Sequence, residues 1–159
     1  MKKDNPTLKL TIELVPKTSW YNNVRKVVSP AQWDKIRKDS YKNYNFKCGI
    51  CNAEGRLSCH EIWEYDDEKY IQKLTGFIAL CTNCHNIKHI GLSQILANEG
   101  KLDFVKLIEH FCKINNCSVE AYEEYEKNAF LVWGKRSKHD WTIDFGDYSN
   151  IITKKIDAK

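Results

Sequence analysis

Two C-x-x-C pairs, Cys48-Gly49-Ile50-Cys51 and Cys81-Thr82-Asn83-Cys84, carry the strongest chemical signal, and His85 and His89 follow the second directly. Zinc takes four soft or borderline ligands in a tetrahedron, with thiolates ~2.3 Å from the ion. A C-x-x-C pair on a tight turn sets two sulfurs on one side of the ion, so two pairs complete the set. Residues 52–80 separate them, a longer gap than the ~15–20 residues of the commonest zinc spacing. A redox C-x-x-C normally occurs singly in a strand–helix setting, so the doubled pair reads as one structural Zn²⁺ held by Cys48, Cys51, Cys81 and Cys84. Gly49 eases the first turn. The second pair lies where a helix should start, and helix N-terminal N–H groups favour thiolates. Cys59, Cys112 and Cys117 have no such partner spacing and read as small buried hydrophobes.

The histidines suggest a second site. At ~100° per residue, His85 lies about 100° and His89 about 140° round a helix from Cys84. The imidazoles therefore share a face turned away from the sulfur. An i,i+4 pair is a ready bidentate metal site, and His60, in Leu57-Ser58-Cys59-His60-Glu61-Ile62-Trp63, is a candidate third ligand. Taken without the knuckles, the pair on the helix would equally suit plain surface residues.

The order of these parts carries a resemblance. A C-x-x-C comes first, then a strand with a His-containing polar pair before an apolar residue. A second strand follows, ending in L-C-x-x-C-H, with a histidine four residues on. Cys59-His60-Glu61-Ile62 and Leu80-Cys81-Thr82-Asn83-Cys84-His85-Asn86-Ile87-Lys88-His89 supply the match. Over Cys48 to His89, about a quarter of the chain, this resembles the HNH endonuclease family. The resemblance implies a ββα-metal core with one divalent ion between the strand pair and the helix. It places His60, His85 and His89 as ligands and Glu61 as the base that deprotonates water. It further implies hydrolysis of DNA phosphodiesters, leaving 5′-phosphate and 3′-hydroxyl ends. Three imidazoles favour Zn²⁺, Mn²⁺ or Ni²⁺ over Mg²⁺, which prefers oxygen. Two positions depart from the family pattern. Glu61 stands where His is usual; its alternative is a strand shifted by one residue, with His60 the base and Cys59 the ligand. The family's loop asparagine falls near Gly76, which has no side chain to tie a loop, leaving Asp66, Asp67 or Glu68 to hold it.

Arg56, Lys88, Lys135 and Arg136 are candidates to neutralise phosphates, with Lys138 beside the last two. A solvated helix end serves equally well as a reading of Lys135 and Arg136. Trp63, Tyr65 and Tyr70 could stack on bases, but aromatic alternation on a small strand more often means packing. Lys35, Arg37 and Lys38 read as a wet helix face.

The elements that must position these groups are legible in outline. Leu8, Leu10, Ile12 and Leu14 alternate with polar residues, which predicts a strand ended by Pro16. Thr18 to Val28 shows no clean period. Ser29-Pro30 predicts a helix from Pro30 to about Tyr41. Leu57–Tyr65 and Phe77–Leu80 read as strands, and Thr82–Ile90 as a short helix stopped by Gly91. Further helices are expected over Leu92–Asn98, Leu102–Ile114 and Val119 to about Lys135, the last capped by Ser118. Trp141, Ile143 and Phe145 suggest a final strand, and Lys154–Lys159 a frayed tail.

The expected architecture is α+β, a single domain over residues 1–159. A treble-clef-like zinc core at 46–91 is flanked by a strand–helix extension at 1–45 and a helical region at 92–159. A chain of 159 residues with 42% hydrophobic and 12% aromatic content can fold around a real core. The formal charge of +4 permits nucleic-acid binding without requiring it. No apolar run reaches the ~18–20 residues of a membrane span, and the N-terminus lacks the apolar stretch of a secretion signal. A cytoplasmic location is therefore expected, with thiols reduced; seven cysteines also exclude complete pairing. The expected partner is DNA, with a homodimer left open and no membrane contact. The rival readings are a zinc-stabilised nucleic-acid-binding module without cleavage and a zinc-stapled protein-interaction domain.

Overall fold

The computed structural model describes residues 7–19 and 23–152; Trp20 and Tyr21, in the stretch without a clean period, and the tail Lys154–Lys159 lie outside the described residues. The fold is mixed α+β, a three-stranded sheet with helices.

Residues 8–14 do not form the expected strand. They keep its alternation, with Leu10 and Ile12 buried and Leu8 and Leu14 packed against the same core. Their backbone groups, however, bond to side chains and to one helix carbonyl rather than to a neighbouring strand. The Asn115 carboxamide accepts from the Lys9 and Leu10 N–H groups and donates to the Leu10 carbonyl. The Tyr125 hydroxyl accepts from Ile12 N–H, and Glu13 N–H reaches the Lys88 carbonyl. Alternation reports one buried face; it does not supply a sheet edge to pair with.

Helix α1 covers Val24–Val27, capped by the Asn23 side chain. Helix α2 covers Pro30–Asn43, opened by Pro30 and a reciprocal Ser29–Gln32 capping box. Asn45 and Phe46 then take left-handed conformations, and this reversal leads into the first cysteine knuckle. Gly49 serves there through lack of volume rather than through its turn: a Cβ would lie 2.7 Å from Tyr44 Cε1 and 2.8 Å from Ile78 Cγ1. Gly49→Ala is expected to destabilise the chain by about 1–3 kcal/mol, read from denaturant midpoints.

Strands β1 (Leu57–Asp66) and β2 (Ile71–Cys81) form an antiparallel hairpin. Its turn is tied by the Asp66 carboxylate, which accepts from the Glu68 and Lys69 N–H groups. Gly76 is not in a loop but inside β2, opposite Ile62. Strand β2 starts well before Phe77, because Gln72 and Leu74 are buried while Lys73 and Thr75 are exposed; a buried glutamine conceals that period. Ile62 pairs with Gly76 and Trp63 with Leu74, so Thr75 is bulged out, and its hydroxyl donates to the Ile62 carbonyl. The bulge inverts the side-chain alternation along β2.

Helix α3 (Thr82–Lys88) begins where β2 ends, and α4 (Ile90–Asn98) follows after a break at His89. Gly91 therefore lies within the first turn of α4 and stops nothing. Ile90 is fully buried and pins the new helix axis to the core. Helices α5 (Phe104–Asn115) and α6 (Val119–Arg136) agree closely with the apolar period and the Ser118 cap. The last strand, β3, is reduced to Thr142–Asp144 and runs parallel to β2; a 3₁₀ turn, Gly146–Ile151, follows.

One core gathers Leu10, Leu80, Ile87, Ile90, Phe111 and Tyr122. A second gathers Val24, Val28, Leu74 and Phe145, with Trp63 and Phe77 packed on it. Strand β2 supplies both. Among the described residues, no helix is long and apolar enough to cross a membrane.

Candidate metal centres

The hairpin and α3 meet at the cysteines. Cys48 N–H donates to the Ala53 carbonyl, closing the knuckle, and Gly49 N–H donates to the Ala79 carbonyl, fastening the knuckle to β2. The sulfur atoms of Cys48, Cys51, Cys81 and Cys84 all lie within 4.8 Å of one another. Cys51 and Cys81 sulfurs are 3.5 Å apart, and Cys84 N–H donates to Cys81 Sγ. This group could hold a metal such as zinc.

Its electrostatics suit a cation. Burial opposes ionisation of Cys48, but the backbone N–H groups of Cys51, Cys81 and Ile50 outweigh it and bring the thiol down to about 7. Burial pushes Cys81 up to about 11, and burial followed by the neighbouring sulfurs pushes Cys84 up further. Four sulfurs so close cannot all ionise alone; a divalent charge among them removes the obstacle. Sequence reading missed one participant. His110, on α5, has Nε2 3.2 Å from Cys84 Sγ, and nothing in its spacing links it to Cys84. Cys59, Cys112 and Cys117 are half-buried rather than buried; burial pushes Cys59 up to about 11.

On the flank of α3, one ring nitrogen from each of His60, His85 and His89 lies within 4.8 Å of the others. Ring centroids are 5.5 Å apart for His60–His85, 5.0 Å for His60–His89 and 4.6 Å for His85–His89. His60 comes from β1 and is buried; His85 and His89 come from successive turns. His89 is open to the adjoining cavity, although protein surrounds it on most sides. Burial, and then the neighbouring rings, push His85 and His89 down to about 4. Near neutral pH both are uncharged, with lone pairs available to a cation.

Glu13 was not foreseen here. Its carboxylate Oε2 is 2.5 Å from His60 Nε2, and Oε1 accepts from Lys88 Nζ at 3.0 Å. Burial opposes the Glu13 charge, but the His60 hydrogen bond and charge, with Lys88, outweigh it and hold the carboxyl below its ordinary range. Lys88 thereby leaves the phosphate candidates. It is buried at 6% exposure, and donates to Thr11 Oγ1 and Glu13. Its helical position turns it inward under residues 11–13, which the sequence could not disclose.

Pleating sends Glu61 to the other face of β1 from His60. Its Oε1 accepts from Val24 N–H at 3.1 Å. Burial drives its carboxyl up to about 7, against the lowering effect of that bond and of Trp63. Strand β1 is an edge strand, so His60 and Glu61 both line one cavity of about 670 Å³ that wraps its free edge.

Arg136 also lines this cavity. Its Nε and Nη2 bond to Asp67 at 2.8 and 2.9 Å, and its guanidinium lies 4.3 Å from the Tyr65 ring centroid. Arg56 and Lys135 are exposed. Trp63 and Tyr65 pack against Phe145 and Trp141 while lining the cavity; Tyr70 stacks on His139. Lys35 and Arg37 pair with Asp39 and Asp34 on the exposed face of α2.

No family model, curated protein or solved structure matches this chain.

Proposed function

We propose that the protein is a metal-dependent endonuclease of the HNH type, hydrolysing DNA phosphodiester bonds around a treble-clef-like zinc core. The observation that carries this reading is the convergence of His60 from β1 with His85 of α3 and His89 at its C-terminal end, next to four sulfurs at the start of that same helix. Cys48, Cys51, Cys81 and Cys84 would hold structural Zn²⁺ at the start of α3, and His60, His85 and His89 would hold a catalytic divalent ion on its flank.

A bound divalent ion would polarise the scissile phosphate and shield the leaving oxygen. Glu61 takes the proton of the attacking water; burial makes its carboxylate a stronger base than an exposed glutamate. Glu13 accepts a hydrogen bond from His60 Nε2–H, which leaves the Nδ1 lone pair for the ion, and Lys88 holds Glu13 in place. The expected products carry 5′-phosphate and 3′-hydroxyl ends. Exposed Arg56 and Lys135 are cations available to the backbone.

Glu13→Gln is expected to weaken Co²⁺ binding at the imidazoles by about 10–100-fold, read by absorption titration of the zinc-loaded chain. The activity itself is tested by incubating plasmid DNA with the purified protein and Mg²⁺, Mn²⁺, Ni²⁺ or Zn²⁺. Folded His60→Ala and Glu61→Ala variants should lose cleavage; cleavage unchanged in both would remove the proposed centre. One observation favours a non-cleaving nucleic-acid-binding module instead: Glu61 Oε1 is engaged by Val24 N–H, a structural use of that carboxylate. Under that reading Glu61→Ala leaves DNA affinity intact and no metal supports cleavage by the parent chain.

A further inference from the structure

The cavity that receives the three imidazoles is far larger than a phosphate requires, and its walls are of a different chemistry. We propose that it accepts an unpaired nucleobase beside the scissile phosphate, making single-stranded DNA the preferred substrate. The proposal rests on the nuclease reading for the place of the phosphate and on the cavity for the base.

At about 670 Å³ the space falls within the ~300–1,000 Å³ of sites that hold small molecules. It suits one nucleotide; bases within a duplex stay inside the stack and must be extruded to enter such a site. Trp63 lines it from one side of β1, and Trp133 from α6. Both are half-buried and line the cavity; Lys17 Nζ lies 5.0 Å from the Trp133 ring centroid, so a base stacking there would meet the ring beside that cation. Arg136 adds a different platform. Asp67 grips its guanidinium with two bonds and Tyr65 backs it, so its charge is already compensated and its orientation fixed. A guanidinium held in this way serves as a stacking plane, one of the usual supports for splayed bases. Asn128 brings a carboxamide to the same space, able both to donate to and to accept from a base edge. Arg25, exposed and also lining the cavity, is available to the neighbouring phosphate. Aromatic and guanidinium planes, the Asn128 amide and the exposed Arg25 cation beside a three-imidazole group together match a nucleotide with its base unstacked.

The test uses the full zinc-loaded chain and one oligonucleotide sequence in two forms, single-stranded and fully paired. Cleavage is measured with Mn²⁺, and binding by anisotropy of the labelled strands in the His85→Ala background. Val132→Trp fills the cavity from an exposed position on α6, and Trp133→Leu removes a platform. The single strand should be cut and bound at least about tenfold better than the duplex, and each variant should weaken single-strand binding about tenfold or more. Folding of each variant is read by circular dichroism. Equal treatment of the two forms, or folded variants that bind the single strand like the parent, would overturn the base site while leaving any observed cleavage to stand. Variant-sensitive single-strand binding without cleavage by any metal would retain the base site and overturn the nuclease.

Discussion

Under the proposed nuclease reading, replacing His85 by alanine is expected to cut metal-dependent DNA cleavage by roughly 10³-fold or more while leaving the chain folded. His85 is half-exposed on the flank of α3, where its ring meets His60 and His89. Its loss leaves two protein ligands where catalytic sites of this kind use three. A correctly held ion stabilises transition-state charge by several kcal/mol, and each ~1.4 kcal/mol is tenfold in rate. The four-sulfur group should be untouched, because Cys84 points to the other side of the helix. Metal analysis should therefore fall from two ions per chain to one, while the melting temperature moves by no more than a few degrees. Single-turnover cleavage within about twofold of the parent, with two ions still bound, is the result that would defeat the assignment.

Removing the sulfur-bound ion should have the opposite profile, acting on the fold before it acts on chemistry. Cys48 and Cys84 are buried at 3% and 0% exposure within the first core. They connect the knuckle at residues 48–51 to the start of α3, and few other bonds join the two. Structural zinc contributes about 10–16 kcal/mol of apparent binding free energy, against a total stability of about 5–15 kcal/mol for a domain. A strong chelator, or Cys84→Ser, is therefore expected to abolish the cooperative melting transition and most of the helical circular dichroism. The His85→Ala chain is the useful control, since it retains only the sulfur-bound ion and should unfold on chelation just as the parent does. A metal-stripped chain that still melts within about 5 °C of the loaded one would limit the ion's contribution to about 1–2.5 kcal/mol and refute a structural role.

The Glu13–His60–Lys88 arrangement shows how far tertiary contacts reassign residues. Lys88 lies between the helical histidines in the sequence, where it reads as a phosphate contact. Once the chain at residues 11–13 lies over α3, the same ammonium becomes the anchor of Glu13. Arg136 is likewise withdrawn from the backbone-neutralising set by Asp67, distant in sequence. A charged side chain's role depends on the countercharge nearest to it, and that countercharge is chosen by the fold.

The amphipathic period gave α5, and caps gave the starts of α2 and α6, because these signals act within one or two turns of the helix they describe. Strand β2 was only half legible, since buried Gln72 and bulged Thr75 break the pattern that a pleat would otherwise print on the chain. The extended segment at residues 8–14 kept its alternation yet took its bonds from Asn115 and Tyr125 instead of a sheet.

By itself the sequence determined the two candidate ligand sets, for C-x-x-C and the i,i+4 histidine pair are local geometries that need only a turn and a helix. It also fixed which side of that helix faces each set. Tertiary structure alone decided that His60 reaches the helical pair and that Glu13 and His110 attend the two groups. It alone put Glu61 across the edge of β1 from His60, beside a cavity walled by aromatic rings. Those placements depend on contacts between residues far apart in the chain, whose partners no local spacing records.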